Sequence, residues 1–456
     1  MSDVNMLLRP PVNRAMRQLD RAFFQKTVPL AAARIFSNQQ ISQCRKDLEK
    51  SRDLLRHERI SPIQLAPGAN NTGLKCLLLK PNIKHDDVST WSETLRALET
   101  SKKVDVIPYE LQLNYDSWDY YDIMTSVLPE DEQEEVPSGF SIIGHVAHLN
   151  LRSQYLPYKS LIASVLLDKN PQVRTVINKI DDVGAENPFR TFPYEVLAGP
   201  NDLNVEVKEE DCLFRFDYAK VYWNPRLHSE HKRLVSLFSE GEAVCDVMAG
   251  VGPFAVPAGR KRVFVWANDL NPDSYASLED AIKRNKVSQY VRPFSTDGRR
   301  FIVDATRDLY HATKQHKVEI FSKPSRSSKE EKKLLKTLIQ PRYFSHYVMN
   351  LPASALSFLT SFVGVYRAAD IPQTLDARLP KIHVYCFSTK SEDNVEEEKK
   401  ICAEITGLLG REMRPGSSHV EGEVEIVDVR DVAPNKRMFC ASFTLPSDVA
   451  WARPMA

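Results

Sequence analysis

The sequence predicts an α/β protein with a doubly wound sheet in its C-terminal half, and two features of that half indicate it. Apart from Asp246, residues 244–248 are apolar and include β-branched valines, as a buried strand requires, and lead directly into a glycine turn at 249–253. A second apolar strand, 263–267, is followed by the acidic residue Asp269. A glycine turn after one strand and a carboxylate after the next, which accepts hydrogen bonds from ribose hydroxyls, are typical of a nucleotide-binding half-sheet.

The residues around the glycine turn distinguish between nucleotides. The turn contains Gly250 and Gly252, but Ala255 stands where a dinucleotide fingerprint has its third glycine, and the phosphate-binding Gly-Lys-Ser/Thr loop is missing from the sequence. Asp246, just before the turn, would repel a phosphate but suits an ammonium group. S-adenosylmethionine has an amino group, a sulfonium and a ribose but no phosphate, so we favour a site for this methyl donor. A purely structural turn and a different nucleotide site are the alternatives.

Length and composition bound the class of protein. The 456 residues suffice for about two or three domains, with 42% hydrophobic and 27% charged residues and a mean hydropathy of −0.37. No apolar stretch approaches the ~20 residues that span a bilayer, so we expect no membrane partner. The seven cysteines form no Cys-x-x-Cys pair, which predicts neither a disulfide framework nor a zinc site and favours a reducing compartment. We expect no metal.

Charge is distributed unevenly although the net charge is only +1. Residues 1–60 contain twelve Lys and Arg against six Asp and Glu, and 314–342 is basic again. The first basic residues, Arg9, Arg14, Arg17 and Arg21, fit either a mitochondrial presequence or a basic surface helix, and both interpretations stay open.

The N-terminal part of the chain, 1–128, is expected to be a mixed α/β module. We expect a helix over 30–55, a strand at 73–79 and a second helix at 90–98. An aromatic-rich segment, 111–121, carries rings that fit a packed interface better than a surface for stacking bases.

A linker and a second module are expected next. Residues 128–139 combine prolines with a run of Asp and Glu, which indicates a solvated linker. The second module covers 138–222, with an alternating strand at 173–179 and a further strand at 212–221. His145 and His148 in this module are spaced as metal ligands on a helix can be, but no acidic residue or cysteine stands nearby.

The third module, 223–456, contains the doubly wound sheet. Residues 224–231 open a helix with Pro225 near its start, and Arg226 and Glu230 stand four residues apart, so we expect them on one face. The strand at 291–294 is followed by Asp297 and Gly298, where a third acidic residue is placed to meet the adenine. The strand at 346–349 ends in Asn350-Leu351-Pro352. We expect seven strands in all, completed by 381–387 and a hairpin of 424–432 and 439–445.

The lysine-rich segment 314–336 is expected to be an insertion loop or a loose helix. An insertion of this length in a compact sheet indicates a lid or a contact surface.

The end of the fourth strand suggests chemistry on a nitrogen atom. The Asn350 carbonyl can orient a nitrogen by accepting a hydrogen bond. A ring nitrogen that carries a proton also needs a base and a cation that holds the developing oxyanion. Glu230 fits the role of base, and Arg190 or Arg226 that of the cation.

Taken together, these motifs resemble the eukaryotic, fungal-like tRNA (guanine position 37)-N1-methyltransferase family. The resemblance is strongest over 142–300 and looser over the whole chain, and the first hundred or so residues match least. It is carried by the segments 144–152, 167–171, 176–179, 222–231, 246–257, 268–272, 297–299 and 350–352.

The resemblance implies a class I, Rossmann-like methyltransferase domain at 223–456, an N-terminal tRNA-recognition domain at 1–128 and a middle RNA-binding domain at 138–222. It implies S-adenosyl-L-methionine as donor, a tRNA with guanosine at position 37 as partner, and a monomer in the mitochondrial matrix, nucleus and cytoplasm. The implied catalytic residues are Glu230, Arg190, Asn350 and Pro352. The implied donor-binding residues are His231, Asp246, Gly250, Gly252, Asp269, Leu270, Asp297, Gly298 and Asn350.

Two alternatives compete with methyl transfer. A wybutosine-pathway enzyme moves an aminocarboxypropyl group from the same donor, but such enzymes lack the Pro225-Arg226-Leu227 segment with the glutamate after it. A tRNA-binding protein without activity is expected to have lost Asp269, Glu230 or Asn350, and all three are present.

Overall fold

The structure, a computed structural model, describes residues 7–68, 73–133, 136–137, 139–180, 189, 191–322, 333–374 and 378–453. The chain divides into two compact units. The first comprises 1–140, 147–178 and 196–200, and the second comprises 141–146, 179–195 and 201–456.

The first unit contains a four-stranded antiparallel sheet with two helices packed on it. The strands are β1 (Lys26–Ile35), β2 (Ile63–Leu65), β3 (Lys75–Leu78) and β4 (Val104–Leu113), in the order β2-β3-β1-β4. The helices Ile41–Lys50 and Glu93–Thr100 contribute Cys44, Leu48, Leu95 and Leu98 to the core.

One prediction in this unit is wrong. The sequence predicts a helix over 30–55, but β1 continues to Ile35 and the helix covers only Ile41–Lys50. Residues 30–33 of β1 are all buried, and such a continuous apolar run does not show the alternation of a half-exposed strand.

Most aromatic side chains of the segment 111–121 are packed against the protein and not exposed to solvent. Trp118 is buried and its indole Nε1 donates to the carbonyl of Phe24 at 3.0 Å. The hydroxyl of Tyr115 donates to Asp168 at 2.9 Å. Of these rings, Tyr121 is the one that stays largely exposed.

Residues 141–198 contain the strands β5 (Ser141–Ile143), β6 (Val146–Leu149), β7 (Thr175–Lys179) and β8 (Tyr194–Ala198), with the helix Lys159–Lys169 after β6. The division between the two units runs through this segment. Strand β7 is buried over 175–178, so the alternation expected at 173–179 is wrong.

The second unit is built on an eight-stranded sheet in the order β13-β12-β11-β16-β17-β20-β19-β18. Its strands are β11 (Ala243–Asp246), β12 (Phe264–Asn268), β13 (Val291–Phe294), β16 (His346–Met349), β17 (Lys381–Ser388), β18 (Arg414–Pro415), β19 (Glu423–Ala433) and β20 (Lys436–Thr444). The first five in this order pair in parallel, and β20 and β19 form the antiparallel hairpin.

The expected count of seven strands is therefore corrected to eight. The additional strand, β18, has two residues, which pair in parallel with the start of β19. Two residues are too few to leave a periodic signal in the sequence.

Helices and two small hairpins complete the second unit. The helices of this unit include His228–Ser236, Ala255–Arg260, Pro272–Arg284, Gly298–Tyr310 and Val395–Leu409. Strands β9 (Asn204–Glu209) and β10 (Cys212–Asp217) form one hairpin, and β14 (Lys317–Phe321) and β15 (Leu334–Ile339) form another. The basic insertion is thus a hairpin at its base, whereas 323–332 lie outside the described residues. None of the helices in the described ranges is long and apolar enough for a membrane crossing.

Candidate active site

The glycine turn follows β11 and depends on two backbone conformations that favour glycine. Gly250 has φ +56° and Gly252 has φ +97°. A Cβ on Gly252 would lie 2.7 Å from Cδ1 of Leu278, so the helix Pro272–Arg284 approaches this position closely. A Cβ on Gly250 would meet nothing within 4 Å, because this residue borders an open cavity.

The cavity lies at the carboxyl edge of the parallel strands. Its walls come from the segments after β11, β12 and β16 and from the start of the helix His228–Ser236. It encloses about 690 Å³ when the open space at its mouth is included, and it lies where doubly wound sheets bind their ligands. It is lined by Phe189, Tyr222, Trp223, Asn224, Leu227, His231, Met248, Ala249, Gly250, Val251, Pro253, Phe254, Asp269, Asn271, Ser274, Asn350 and Leu351.

Asp269 connects the second strand to the glycine turn. Its Oδ2 accepts from the backbone N–H of Gly250 at 2.8 Å, and its Oδ1 accepts from that of Asn271 at 2.9 Å. Burial raises the pKa of this carboxyl above its usual value, while the two backbone hydrogen bonds act in the opposite direction. Each oxygen keeps acceptor capacity for the hydroxyls of a ribose in the cavity.

Asp246 is a buried carboxyl beneath the glycine turn. Neither of its oxygens has a partner at full hydrogen-bond geometry among the described residues. Burial, and then the nearby Asp269, raise the pKa of Asp246 to about 8, while the nearby backbone N–H of Met248 acts in the opposite direction. A buried acidic group without a partner needs a cation or a donor to be stable as a carboxylate. The site therefore fits the ammonium group of S-adenosylmethionine.

His231 lines the cavity from the helix side and is oriented from behind. Its Nδ1 lies 2.5 Å from Oε1 of Glu209, and both side chains are buried. When Nδ1 carries the proton and donates it to this carboxylate, Nε2 is the acceptor nitrogen of the imidazole. Phe254 packs edge-on against the imidazole, with 4.8 Å between ring centroids.

The acceptor side of the cavity is formed by the segment after β16. Asn350 and Leu351 line the cavity, whereas Pro352 is buried behind them. The carbonyl of Pro352 accepts from the N–H of Phe387 at 3.2 Å, which ties this segment to β17. Trp223 lines the same cavity, and its buried Nε1 has no partner among the described residues.

Glu230 lies on the helix His228–Ser236 next to His231 and is only 5% exposed. The expectation that Arg226 shares its helix face is wrong, because Arg226 belongs to the preceding 3-10 turn Pro225–Leu227 and is exposed. The partner of Glu230 is Arg233, whose Nε and Nη2 donate to its two oxygens at 2.6 and 2.7 Å. This pairing holds the pKa of the Arg233 guanidinium above its usual value.

Of the predicted residues, His231, Gly250, Asp269 and Asn350 line the cavity, whereas Glu230, Asp246, Gly252 and Pro352 do not. Leu270 is 52% exposed, and Gly298 is buried, where an added Cβ would lie 2.9 Å from Cε1 of Phe358. Asp297 is exposed and caps the helix Gly298–Tyr310, accepting from the N–H groups of Arg299 and Arg300. None of these three lines the cavity in the part of the chain that the structure describes. Arg190 lies outside the described residues.

Several residues of the site are not predicted by the sequence. They are Glu209, Arg233, Phe254 and Tyr385, the last of which donates to Glu230. For Arg233 the three-residue spacing to Glu230 was a usable signal. Phe254 directly follows the glycine turn, whereas Glu209 and Tyr385 meet the site from other parts of the chain, and no local pattern marks them.

Comparison with known proteins identifies the family. The TYW2 N-terminal domain matches residues 120–202, and the TRM5/TYW2 methyltransferase domain matches residues 205–331. The fold is similar to that in the structure of the complex of aTrm5 and tRNALeu, with a TM-score of 0.59, 19% identity and coverage of 91% of this chain and 99% of that one.

Curated fungal relatives extend the match to nearly the whole chain. The tRNA (guanine(37)-N(1))-methyltransferase of Aspergillus fumigatus is 51% identical over 99% of this chain and 97% of its own length. The protein of the same name from Neurospora crassa is 53% identical over 98% of this chain and 95% of its own. The chain therefore belongs to the tRNA (guanine(37)-N(1))-methyltransferase family.

Proposed function

We propose that this protein transfers a methyl group from S-adenosylmethionine to N1 of the guanosine at position 37 of tRNA. The observation that carries the proposal is that residues suited to the donor and to the acceptor line one cavity: Asp269 and Gly250 on one wall, Asn350 on another. Relatives about 50% identical over nearly their whole length carry this activity in their names.

The donor is assigned to the glycine-turn side of the cavity. Asp269 accepts from the ribose hydroxyls, Asp246 faces the ammonium group, and His231 presents a ring nitrogen oriented by Glu209. When bound, S-adenosylmethionine supplies an electrophilic methyl group on its sulfonium. The open space beside Gly250 admits the donor close to the backbone.

Glu230 is assigned as the base that takes the proton from guanine N1. Without that step the N1 lone pair is not available for attack on a methyl group. Among the described residues Oε1 of Glu230 accepts two hydrogen bonds, from Arg233 and Tyr385, and Oε2 accepts one. A carboxylate has about four acceptor positions, so Oε2 is the oxygen that receives the proton.

Asn350 orients the acceptor. Its side-chain carbonyl accepts from the guanine, and Pro352 behind it fixes the turn through the hydrogen bond to β17. The developing negative charge on guanine O6 is assigned to Arg190 on the basis of the family resemblance. Arg226, exposed in the 3-10 turn Pro225–Leu227, is assigned to tRNA contact.

The proposal is tested with transcripts that carry guanosine, adenosine or inosine at position 37. We expect methyl incorporation with guanosine and none with adenosine. Mass spectrometry of the product nucleoside separates N1-methylguanosine from an aminocarboxypropyl derivative. Finding the latter, or no incorporation into guanosine, would overturn the assignment.

The base is tested by Glu230→Gln, which keeps shape and hydrogen bonding but removes basicity. We expect the single-turnover rate to fall by ~10²–10⁴-fold. Dissociation constants for donor and tRNA change little, and the rise of the wild-type rate with pH to a plateau is lost. The exposed neighbour Ser229→Ala is the matched control. Near wild-type transfer by the Gln variant would show that another group is the base.

A further inference from the structure

The base is approached from the sheet by a buried phenol. Tyr385 lies on β17, is fully buried, and its hydroxyl donates to Oε1 of Glu230 at 2.7 Å. The two residues are 155 positions apart in the chain. The tyrosine therefore brings to the helix His228–Ser236 a contact that the helix itself does not supply.

The phenol is held as a donor by its surroundings. Burial raises the pKa of Tyr385 well above its usual value, and the neighbouring Cys440 and Glu230 act in the same direction. A phenol that keeps its proton at every working pH donates to a carboxylate and stabilises its charged form. On the cavity side, Phe254 packs on the phenol ring with centroids 6.1 Å apart.

A chain of buried polar groups lies behind the tyrosine. Cys440 on β20 stands directly opposite Tyr385, and its Sγ is 3.8 Å from Oγ of Ser442. Ser442 bonds Nδ1 of His383 at 2.8 Å, and Nε2 of His383 lies 3.0 Å from Nδ1 of His346. Burial, and then His346, lower the pKa of His383 well below its usual value, so this imidazole is neutral. The Glu230–Arg233 pair is thus set against a sheet face whose polar groups are hydrogen-bonded to one another.

Strand β17 also reaches the acceptor side of the site. Two residues after Tyr385, the N–H of Phe387 donates to the carbonyl of Pro352 at 3.2 Å. One strand therefore holds both the assigned base and the segment that carries Asn350. The distance between base and acceptor depends on β17 rather than on either loop alone.

We propose that Tyr385 is a positioning residue of the methyl transfer, fixing Oε1 of Glu230 so that Oε2 faces the guanine. This inference rests on the proposed role of Glu230. Arg233 alone grips both oxygens and allows the carboxylate to pivot with the arginine. The second donor, from an element of the sheet, removes that freedom.

The test is Tyr385→Phe, which keeps the ring and deletes the hydroxyl. The matched control is Tyr347→Phe on the adjacent strand, where another buried phenol bonds Oγ1 of Thr306 at 2.6 Å. Rates are measured under single turnover with saturating donor and tRNA and expressed per donor-binding site titrated, so that misfolded protein does not count.

We expect Tyr385→Phe to lower the methyl-transfer rate roughly 10- to 100-fold, the value of a hydrogen bond to a charged group. Donor and tRNA dissociation constants stay unchanged. The acidic limb of the rate–pH profile moves to higher pH, because a carboxylate that has lost a donor is protonated more easily. Tyr347→Phe leaves the rate and the profile as in the wild type.

The double variant separates this inference from the proposed function. In a Glu230→Gln background, Tyr385→Phe should cost less than about twofold, because it acts through a base that is gone. If Glu230→Gln is slow and Tyr385→Phe behaves like the wild type, the positioning role is overturned and the base stands. The role is also overturned if Tyr385→Phe lowers the rate equally in the wild type and in Glu230→Gln. If Glu230→Gln itself transfers methyl at the wild-type rate, the proposed base is wrong, and the positioning role is overturned with it.

Discussion

The guanidinium of Arg233 binds both carboxylate oxygens of Glu230, from the same helix and three residues further on. Such a fork is the strongest geometry for this pair of groups. It neutralises a carboxylate that is almost completely buried, so the helix can pack on the sheet without an unpaired charge.

Removing this partner should destabilise the fold. In Arg233→Ala the carboxylate stays buried with Tyr385 as its remaining described donor, and the Arg233 side chain is itself 31% exposed. We expect the free energy of unfolding to fall by about 1.5–3 kcal/mol. Urea denaturation measures it. The exposed Arg226→Ala is the control and should change stability by less than about 0.5 kcal/mol. Equal effects of the two variants would contradict the importance of the pair.

The donor assignment predicts a loss of affinity in Asp269→Ala. The ribose would lose an acceptor, and the turn would lose its anchor at the N–H of Gly250. We expect calorimetry with S-adenosylmethionine to show a free-energy loss of roughly 1.5–3 kcal/mol. Asp273→Ala, a half-exposed carboxylate in the helix that follows, is the control. Unchanged affinity in Asp269→Ala would rule out the ribose contact.

The parts of this site that the sequence predicted are those with local signals. The glycine turn, Asp269 and Asn350 each follow directly on an apolar strand, and parallel strands bring their carboxyl ends to one edge of the sheet. The structure places all three at the cavity. Strand order did not need to be known for this result.

The contacts of the base could not be predicted in the same way. Which cation pairs with Glu230 depends on where the helix begins, and the 3-10 turn Pro225–Leu227 takes Arg226 out of it. Helix starts are the least certain part of a sequence-based assignment. Tyr385 reaches Glu230 across 155 residues, which no spacing rule covers. The same limit applies to Glu209, which orients His231 across 22 residues.

The raised pKa of Asp246 predicts that binding of the donor releases a proton from this carboxyl. Its pKa of about 8 makes it a neutral acid in the free protein at pH 7, whereas an ammonium group beside it favours the carboxylate. Affinity for S-adenosylmethionine should therefore rise from pH 6 to 8 and level off above. Calorimetry in buffers of different ionisation enthalpy reports the released proton. Asp246→Asn should bind more weakly and lose this pH dependence, and a retained dependence would contradict the assignment.

The same group predicts a change in stability with pH. Its pKa is raised from 3.8, so the folded protein binds the proton more tightly than the unfolded chain does. Its contribution to stability is complete below about pH 4 and is lost as the pH rises through about 8. The difference in unfolding free energy between Asp246→Asn and the wild type should grow in favour of the variant from pH 5 to 8. A pH-independent difference in urea denaturation would contradict it.

The two glycines of the turn should fail in different ways when each is replaced by alanine. In Gly252→Ala the new Cβ lies 2.7 Å from Leu278 and 2.9 Å from Val256, at a φ of +97°. Overpacking and backbone strain together should lower the free energy of unfolding by roughly 2–5 kcal/mol. In Gly250→Ala the Cβ meets no protein atom within 4 Å, so strain alone should cost about 1–2 kcal/mol. That Cβ enters the cavity, however, and should weaken donor binding beyond its effect on folding. Urea denaturation measures the stability of both variants, and calorimetry measures their affinity for the donor. If both variants lose affinity in the same proportion to their loss of stability, Gly250 does not border the donor.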